Sequence, residues 1–193
     1  MLYILTGQIQ TGKTRWLQSQ TARKQQEGTP VYGVIAPGVW RDHGQDASPR
    51  YEKLGINNVL LPDNITVSFA QRRDLADRQG EFAQGTQAAA EKLGWAISDE
   101  AIAQVDAHFQ RLLKLSKDPG AKPGFLVVDE LGRLELLRNQ GLVNAMELLK
   151  QGPTSLAADA LIVVREDLLP YAYERFADPW PEIKEITPGY DLP

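Results

Sequence analysis

The stretch Gly7-Gln8-Ile9-Gln10-Thr11-Gly12-Lys13-Thr14 decides how the rest of the chain is read. It fits the pattern G-x-x-x-x-G-K-[ST], and each fixed position has a physical task. The two glycines let the backbone turn tightly and bring its N–H groups close to phosphate oxygens. A helix starting near Lys13 would aim its free N–H groups and the positive end of its dipole at the same anion. Lys13 is placed to reach the β- and γ-phosphates as a point charge, and Thr14 to offer its hydroxyl to Mg²⁺. The flanks supply the context that this chemistry needs. Leu2 to Thr6 is apolar and too short for a helix before Gly7, which predicts a buried strand. Lys13 to Glu27 is rich in helix formers and stops at Gly28, a natural C-cap. All eight loop residues are candidate phosphate ligands, and Lys13 is also a catalytic candidate.

Phe125-Leu126-Val127-Val128-Asp129-Glu130 is an apolar strand that ends in two carboxylates. Behind a phosphate loop, such a strand is expected beside the first one, with its terminal Asp holding Mg²⁺ next to the loop hydroxyl. That assigns Thr14 and Asp129 to the metal. Glu130 follows at once and is the candidate to orient or deprotonate an attacking water. A solvated strand end is the plainer alternative for the pair.

Working outward, Val31 to Ala36 predicts a second strand, stopped by Pro37-Gly38. Residues 38 to 50 are polar and turn-rich and read as a mobile loop. Val59 to Leu61 and Ile65 to Phe69 flank Pro62-Asp63-Asn64, the signature of a hairpin. Gln71 to Lys92 has no clear pattern. Ser98 is a helix N-cap with Asp99 and Glu100 behind it, and that helix runs to about Leu115. Further elements are a helix over 141 to 150, a strand over 161 to 164, a short helix over 168 to 176 and a strand over 183 to 186. Short apolar strands alternating with helices predict an α/β fold in three layers, a mainly parallel sheet with helices on both faces. The 193 residues suit one domain over 1–193, with a loop or hairpin insertion at about 38–95.

Composition narrows the partners. A net charge of −4 argues against general nucleic-acid binding, which draws on a basic face. The chain has no cysteine, so thiolate metal sites and Cys nucleophiles are excluded, and its two histidines stand far apart in sequence. No apolar run approaches the roughly 18 residues that span a bilayer. The start lacks the basic and cleavage features of a signal peptide, which makes the cytoplasm the expected location. No feature singles out a protein partner.

With both motifs on the page, the chain resembles the small nucleoside-triphosphatase family first described in thermophiles, which has a cancer-related human member. The segments that carry the resemblance are Gly33-Val34-Ile35-Ala36-Pro37-Gly38-Val39-Trp40-Arg41, then Val128-Asp129-Glu130-Leu131-Gly132-Arg133-Leu134-Glu135-Leu136, then Leu161-Ile162-Val163-Val164-Arg165 with Glu185-Ile186-Thr187-Pro188. The resemblance implies a P-loop NTPase core of RecA-like type and Mg²⁺-dependent hydrolysis of nucleoside triphosphates, ATP or GTP among them, with broad base tolerance. Three departures stand out. Arg15 follows Thr14 where the family has a second Thr, the family's Arg-Val-Gly segment before the central helix has no clear copy near Leu93-Gly94-Trp95-Ala96, and residues 42 to 92 diverge.

Charge builds on the γ-phosphoryl oxygens during transfer, and an Arg can stabilise it. Arg41, Arg133 and Arg165 are the candidates. The family carries Lys or Arg at the Arg133 position, which favours Arg133 as a catalytic residue; Glu135 then either pairs with it or anchors the turn. Trp16, Trp40 and Tyr190 are candidates to stack on a base, Trp16 being better placed for core packing. Two other functions use the same machinery: a small-molecule or nucleotide kinase, with residues 71 to 78 as an Arg-bearing lid, and a nucleotide-dependent switch or accessory protein.

Overall fold

A computed structural model describes residues 1–8, 11–79 and 95–193, the side chains of 77–79 excepted. In chain order the elements are β1 (Leu2–Leu5), α1 (Lys13–Gln26), β2 (Val31–Ile35), β3 (Gly38–Asp42), β4 (Tyr51–Leu61), β5 (Ile65–Arg72), α2 (Arg73–Gln79), β6 (Trp95–Ile97), α3 (Asp99–Leu115), β7 (Gly124–Leu131), α4 (Arg133–Arg138), α5 (Val143–Lys150), β8 (Ala157–Val164), α6 (Leu169–Phe176) and β9 (Ile183–Ile186). They form a mixed α/β fold, a central sheet flanked by helices.

The sheet order is β6-β5-β4-β2-β7-β8-β1-β9, with β3 hydrogen-bonded to β4. From β2 to β9 every pairing is parallel. From β2 through β4, β5 and β6 the pairings are antiparallel, as is β3 with β4. The parallel half is buried on both faces, which explains its continuous apolar runs. Alternate residues of each strand serve opposite cores, since side chains change face at every step. Leu2, Ile4, Val34, Leu126, Val128 and Ile162 pack against Val105 and Phe109 of α3, Met146 and Leu149 of α5, and Phe176 of α6. Tyr3, Leu5, Ile35, Val127, Leu161 and Val163 pack against Leu17 of α1 and Leu192 near the C-terminus.

Two expectations change. β7 is not beside β1: β8 pairs in parallel with both and lies between them. Two strand spacings, about 9.5 Å, therefore separate the first strand from the acidic one. Residues 38 to 50 do not form one long loop. Gly38–Asp42 is a strand on the flank of β4, hidden in the sequence because it is exposed almost throughout and shows no apolar alternation. The hairpin around Pro62-Asp63-Asn64 forms as expected from β4 and β5. Ser98 caps α3, its side chain accepting the Ala101 N–H at 2.9 Å.

The last residues fold back on α1. Arg23 reaches Asp191 Oδ1 at 3.1 Å and the Leu192 carbonyl, while Lys24 Nζ donates to the Pro193 carbonyl at 2.5 Å. Among the described residues, no helix is long and apolar enough to cross a membrane.

Candidate functional site

The C-terminal ends of parallel strands are where an open α/β sheet gathers ligand-binding loops. Here that edge carries the segments after β1, β2, β7, β8 and β9.

After β1 the chain passes Thr6 and turns through Gly7 at φ +131° and Gly12 at φ +86°, conformations that a side chain would strain. Ile9 and Gln10 lie outside the described residues. The Thr11 hydroxyl donates to the Gln8 carbonyl at 2.9 Å. The Lys13 ammonium lies across the loop, donating to the carbonyls of Gly7 at 2.6 Å and Gln8 at 2.7 Å. Helix α1 begins at Lys13 with no side-chain cap and no acidic residue in its first turn.

Asp129 stands at the end of β7, 3% exposed. Its Oδ2 accepts the Ala36 N–H at 3.0 Å, and the Thr14 side chain lies close enough to the carboxylate to favour its charged form. Burial pushes its pKa up to about 6; neighbouring Glu130 adds to this, while Ala36, Thr14 and Lys53 oppose it. The two expected metal ligands, from α1 and β7, thus lie near each other although β8 separates their strands.

Glu130 is half-buried, and its Oε1 accepts from Arg165 Nε at 2.8 Å. Of the three candidate arginines, Arg165 is the one that contacts the acidic pair. Arg41 sits on β3, with its guanidinium 3.7 Å from Glu52. Arg133 is exposed at the first position of α4, and no hydrogen bond or ion pair joins it to Lys13, Asp129 or Glu130 among the described residues. Glu135 anchors the turn and does not pair with Arg133. Its oxygens accept the N–H groups of Gly132 at 2.9 Å and Leu142 at 3.1 Å, and burial raises its pKa.

The structure adds a residue that the sequence did not single out. Lys53, on β4, has its ammonium 5.2 Å from the Trp95 ring centre and 5.9 Å from that of Trp40. Burial lowers its pKa, and the charges of Glu130 and Asp129 act in the opposite direction. It is therefore a partly buried cation within electrostatic reach of the acidic pair. Its one sequence trace is a lysine inside a strand; the flanking tryptophans come from β3 and β6, which local pattern cannot connect. Trp16 packs against the Tyr3–Leu5 core, as its helix position suggested.

Of the lid-like stretch 71 to 78, the side chains of 77 and 78 lie outside those described. Arg72 ends β5 and pairs with Asp74 at 2.5 and 2.8 Å and with Glu52.

The donor set at Asp129 and Thr14 is hard oxygen, the kind Mg²⁺ prefers. Among the described residues there is no group of three or more His, Cys, Asp or Glu side chains placed to hold a metal. Mg²⁺ bound through one carboxylate, one hydroxyl, phosphate oxygens and water requires none. Comparison of the chain with family models, curated proteins and solved structures returned no match.

Proposed function

We propose that this chain is a P-loop nucleoside triphosphatase that binds an NTP with Mg²⁺ and hydrolyses it to NDP and phosphate. The observation that carries the proposal is the nearness of the Thr14 side chain to the buried Asp129 carboxylate. A phosphate-type loop alone is a sequence pattern. A loop whose Thr stands near a buried carboxylate at a strand end brings two candidate ligands of a nucleotide-bound Mg²⁺ within reach of each other.

Residues 7 to 14 would hold the polyphosphate through backbone N–H groups and the uncapped start of α1. Lys13 would leave the carbonyls of Gly7 and Gln8 for the β- and γ-phosphate oxygens. Thr14 and Asp129 would hold Mg²⁺, which neutralises phosphate charge and orients the γ-phosphoryl group. Glu130, steadied by Arg165, would align the attacking water and accept its proton. Arg165 and Lys53 are the cations near enough to this acid to offset charge growing on the γ-phosphoryl oxygens.

Phosphate release measured with ATP, GTP, CTP and UTP, with and without Mg²⁺, tests the proposal. Turnover should require Mg²⁺ and vanish in Lys13→Ala. Glu130→Gln should bind nucleotide as before and turn over at least a hundredfold more slowly. Full turnover by Lys13→Ala would end the proposal. A phosphorylated acceptor formed in place of free phosphate would convert it to a kinase.

A further inference from the structure

Strand β7 changes register against β8 at the acidic pair. Val128 lies opposite Ile162 and Leu131 opposite Val164. Two residues of β7, Asp129 and Glu130, therefore stand where β8 has one, Val163, which is the arrangement of a β-bulge. In an unbroken strand such neighbours point to opposite faces of the sheet. A bulge re-aims a side chain, and here Asp129 meets the Ala36 N–H while Glu130 meets Arg165.

A bulged strand end needs other bonds to hold it, because its ladder is interrupted. Leu131 is fully buried, and the Gly132 N–H that follows donates to Glu135 Oε2 at 2.9 Å. The other oxygen, Oε1, accepts the Leu142 N–H at 3.1 Å. Glu135 thus ties the turn after Glu130 to the loop between α4 and α5. Gly141 closes a third side. At φ +71° its backbone comes so near that a Cβ there would lie 2.0 Å from Oε1.

Capping alone does not account for this acid. Glu135 is buried, and burial, with the charge of Glu130 acting the same way, raises its pKa. A helix of six residues does not need that, since a surface Ser, Asn or Asp at the N-cap stabilises a helix start without burying a charge. What Glu135 does that a surface cap does not is to lock the segment two residues beyond Glu130.

Resting on the nucleoside-triphosphatase reading, in which Glu130 aligns the attacking water, we propose that Glu135 is the positioning residue for Glu130. It acts without touching substrate, by fixing the bulged end of β7 from behind while Arg165 holds the Glu130 carboxylate from the end of β8. A misplacement of about 1 Å can cost roughly a hundredfold in rate. The phosphate loop lies on another strand and keeps its grip, so Glu135 serves kcat and leaves nucleotide affinity alone.

The test is single-turnover phosphate release and equilibrium binding of Mg²⁺-ATP in wild type, Glu135→Gln, Glu130→Gln and the double variant, with urea unfolding as the check on the fold. Glutamine fills the same volume, but its one oxygen serves one of the two N–H groups and its NH₂ faces the other. Glu135→Gln should lose about tenfold in rate, with its Kd within about twofold of wild type. In the Glu130→Gln background the same change should add less than about twofold, because no acid is left to position. An equal loss in that background would make Glu135 a structural residue only and overturn the inference, as would a wild-type rate in Glu135→Gln. Glu135→Asp keeps the charge, is too short to span both loops and should show the same pattern. Failure of both variants to fold would assign Glu135 to stability and overturn the inference too. A wild-type chain with no Mg²⁺-dependent phosphate release overturns the nucleoside-triphosphatase reading itself.

Discussion

Arg165 grips Glu130 through Nε at 2.8 Å, so the acid at the end of β7 and the cation after β8 form one unit bridging adjacent parallel strands. An acid held this way keeps its direction, and the cation remains next to the group it steadies. Arg165→Ala and Glu130→Gln should each lower kcat by roughly a hundredfold or more. The double variant should fall far short of the product of the two losses, because residues acting as a unit are not additive. Steady-state kinetics on the four proteins checks this; strictly multiplicative losses would mean that the contact has no part in turnover.

Lys53 supplies a second cation to the same place, between the rings of Trp40 and Trp95. Lys53→Met keeps most of the stem and removes the charge. It is expected to lower kcat about tenfold to a hundredfold. Lys53→Arg should recover part of that loss. Tryptophan emission should shift in Lys53→Met, since the ammonium leaves two indole faces. Unaltered kcat in a folded Lys53→Met protein would confine the residue to a packing role.

Asp129 makes stability depend on pH in an unusual direction. Its folded pKa is raised to about 6 from an ordinary value of 3.8, chiefly by burial. Below the lower value both states hold the proton and the site costs nothing. Between the two values the unfolded chain ionises while the folded carboxyl keeps its proton, so the cost grows with pH, and the full amount, about 3 kcal/mol, is present above about 6. Asp129→Asn, without nucleotide or metal, should therefore be more stable than wild type at pH 7.5 and nearly equal to it at pH 4. Denaturant unfolding at the two pH values measures the difference. A variant less stable at pH 7.5 would contradict the buried, destabilised carboxylate.

Ser98 offers a control away from the chemistry. Its side chain satisfies the Ala101 N–H at the start of α3. Ser98→Ala should cost about 1 kcal/mol in urea unfolding and leave phosphate release unchanged. A loss of turnover in the still-folded variant would tie α3 to the site.

Much of the parallel half is legible in the sequence, because its strands are short apolar runs closed by Gly, Pro or acidic residues. Leu2–Leu5 and the run up to Asp129 are of this kind. Their order is not legible. The runs 125–128 and 161–164 have the same pattern, and no local property says which sits beside β1. The partners within the site are hidden for a similar reason. Asp129, Glu130 and Arg165 are each visible as strand-end charges, but the Arg165–Glu130 contact depends on β8 lying against β7. β3 escapes pattern reading because an exposed ribbon has no buried face to mark it. Lys53 escapes with it, since its aromatic neighbours are brought close only by the antiparallel pairings of β3, β4, β5 and β6.

The clasp between α1 and the chain's last residues has a mechanical consequence. Arg23 and Lys24 sit in the final turns of the helix whose first turn bears Lys13 and Thr14, and they hold residues 191 to 193. The helix is thus pinned at the end away from Lys13 and Thr14, and any displacement of α1 has to carry residues 191 to 193 with it or break these bonds.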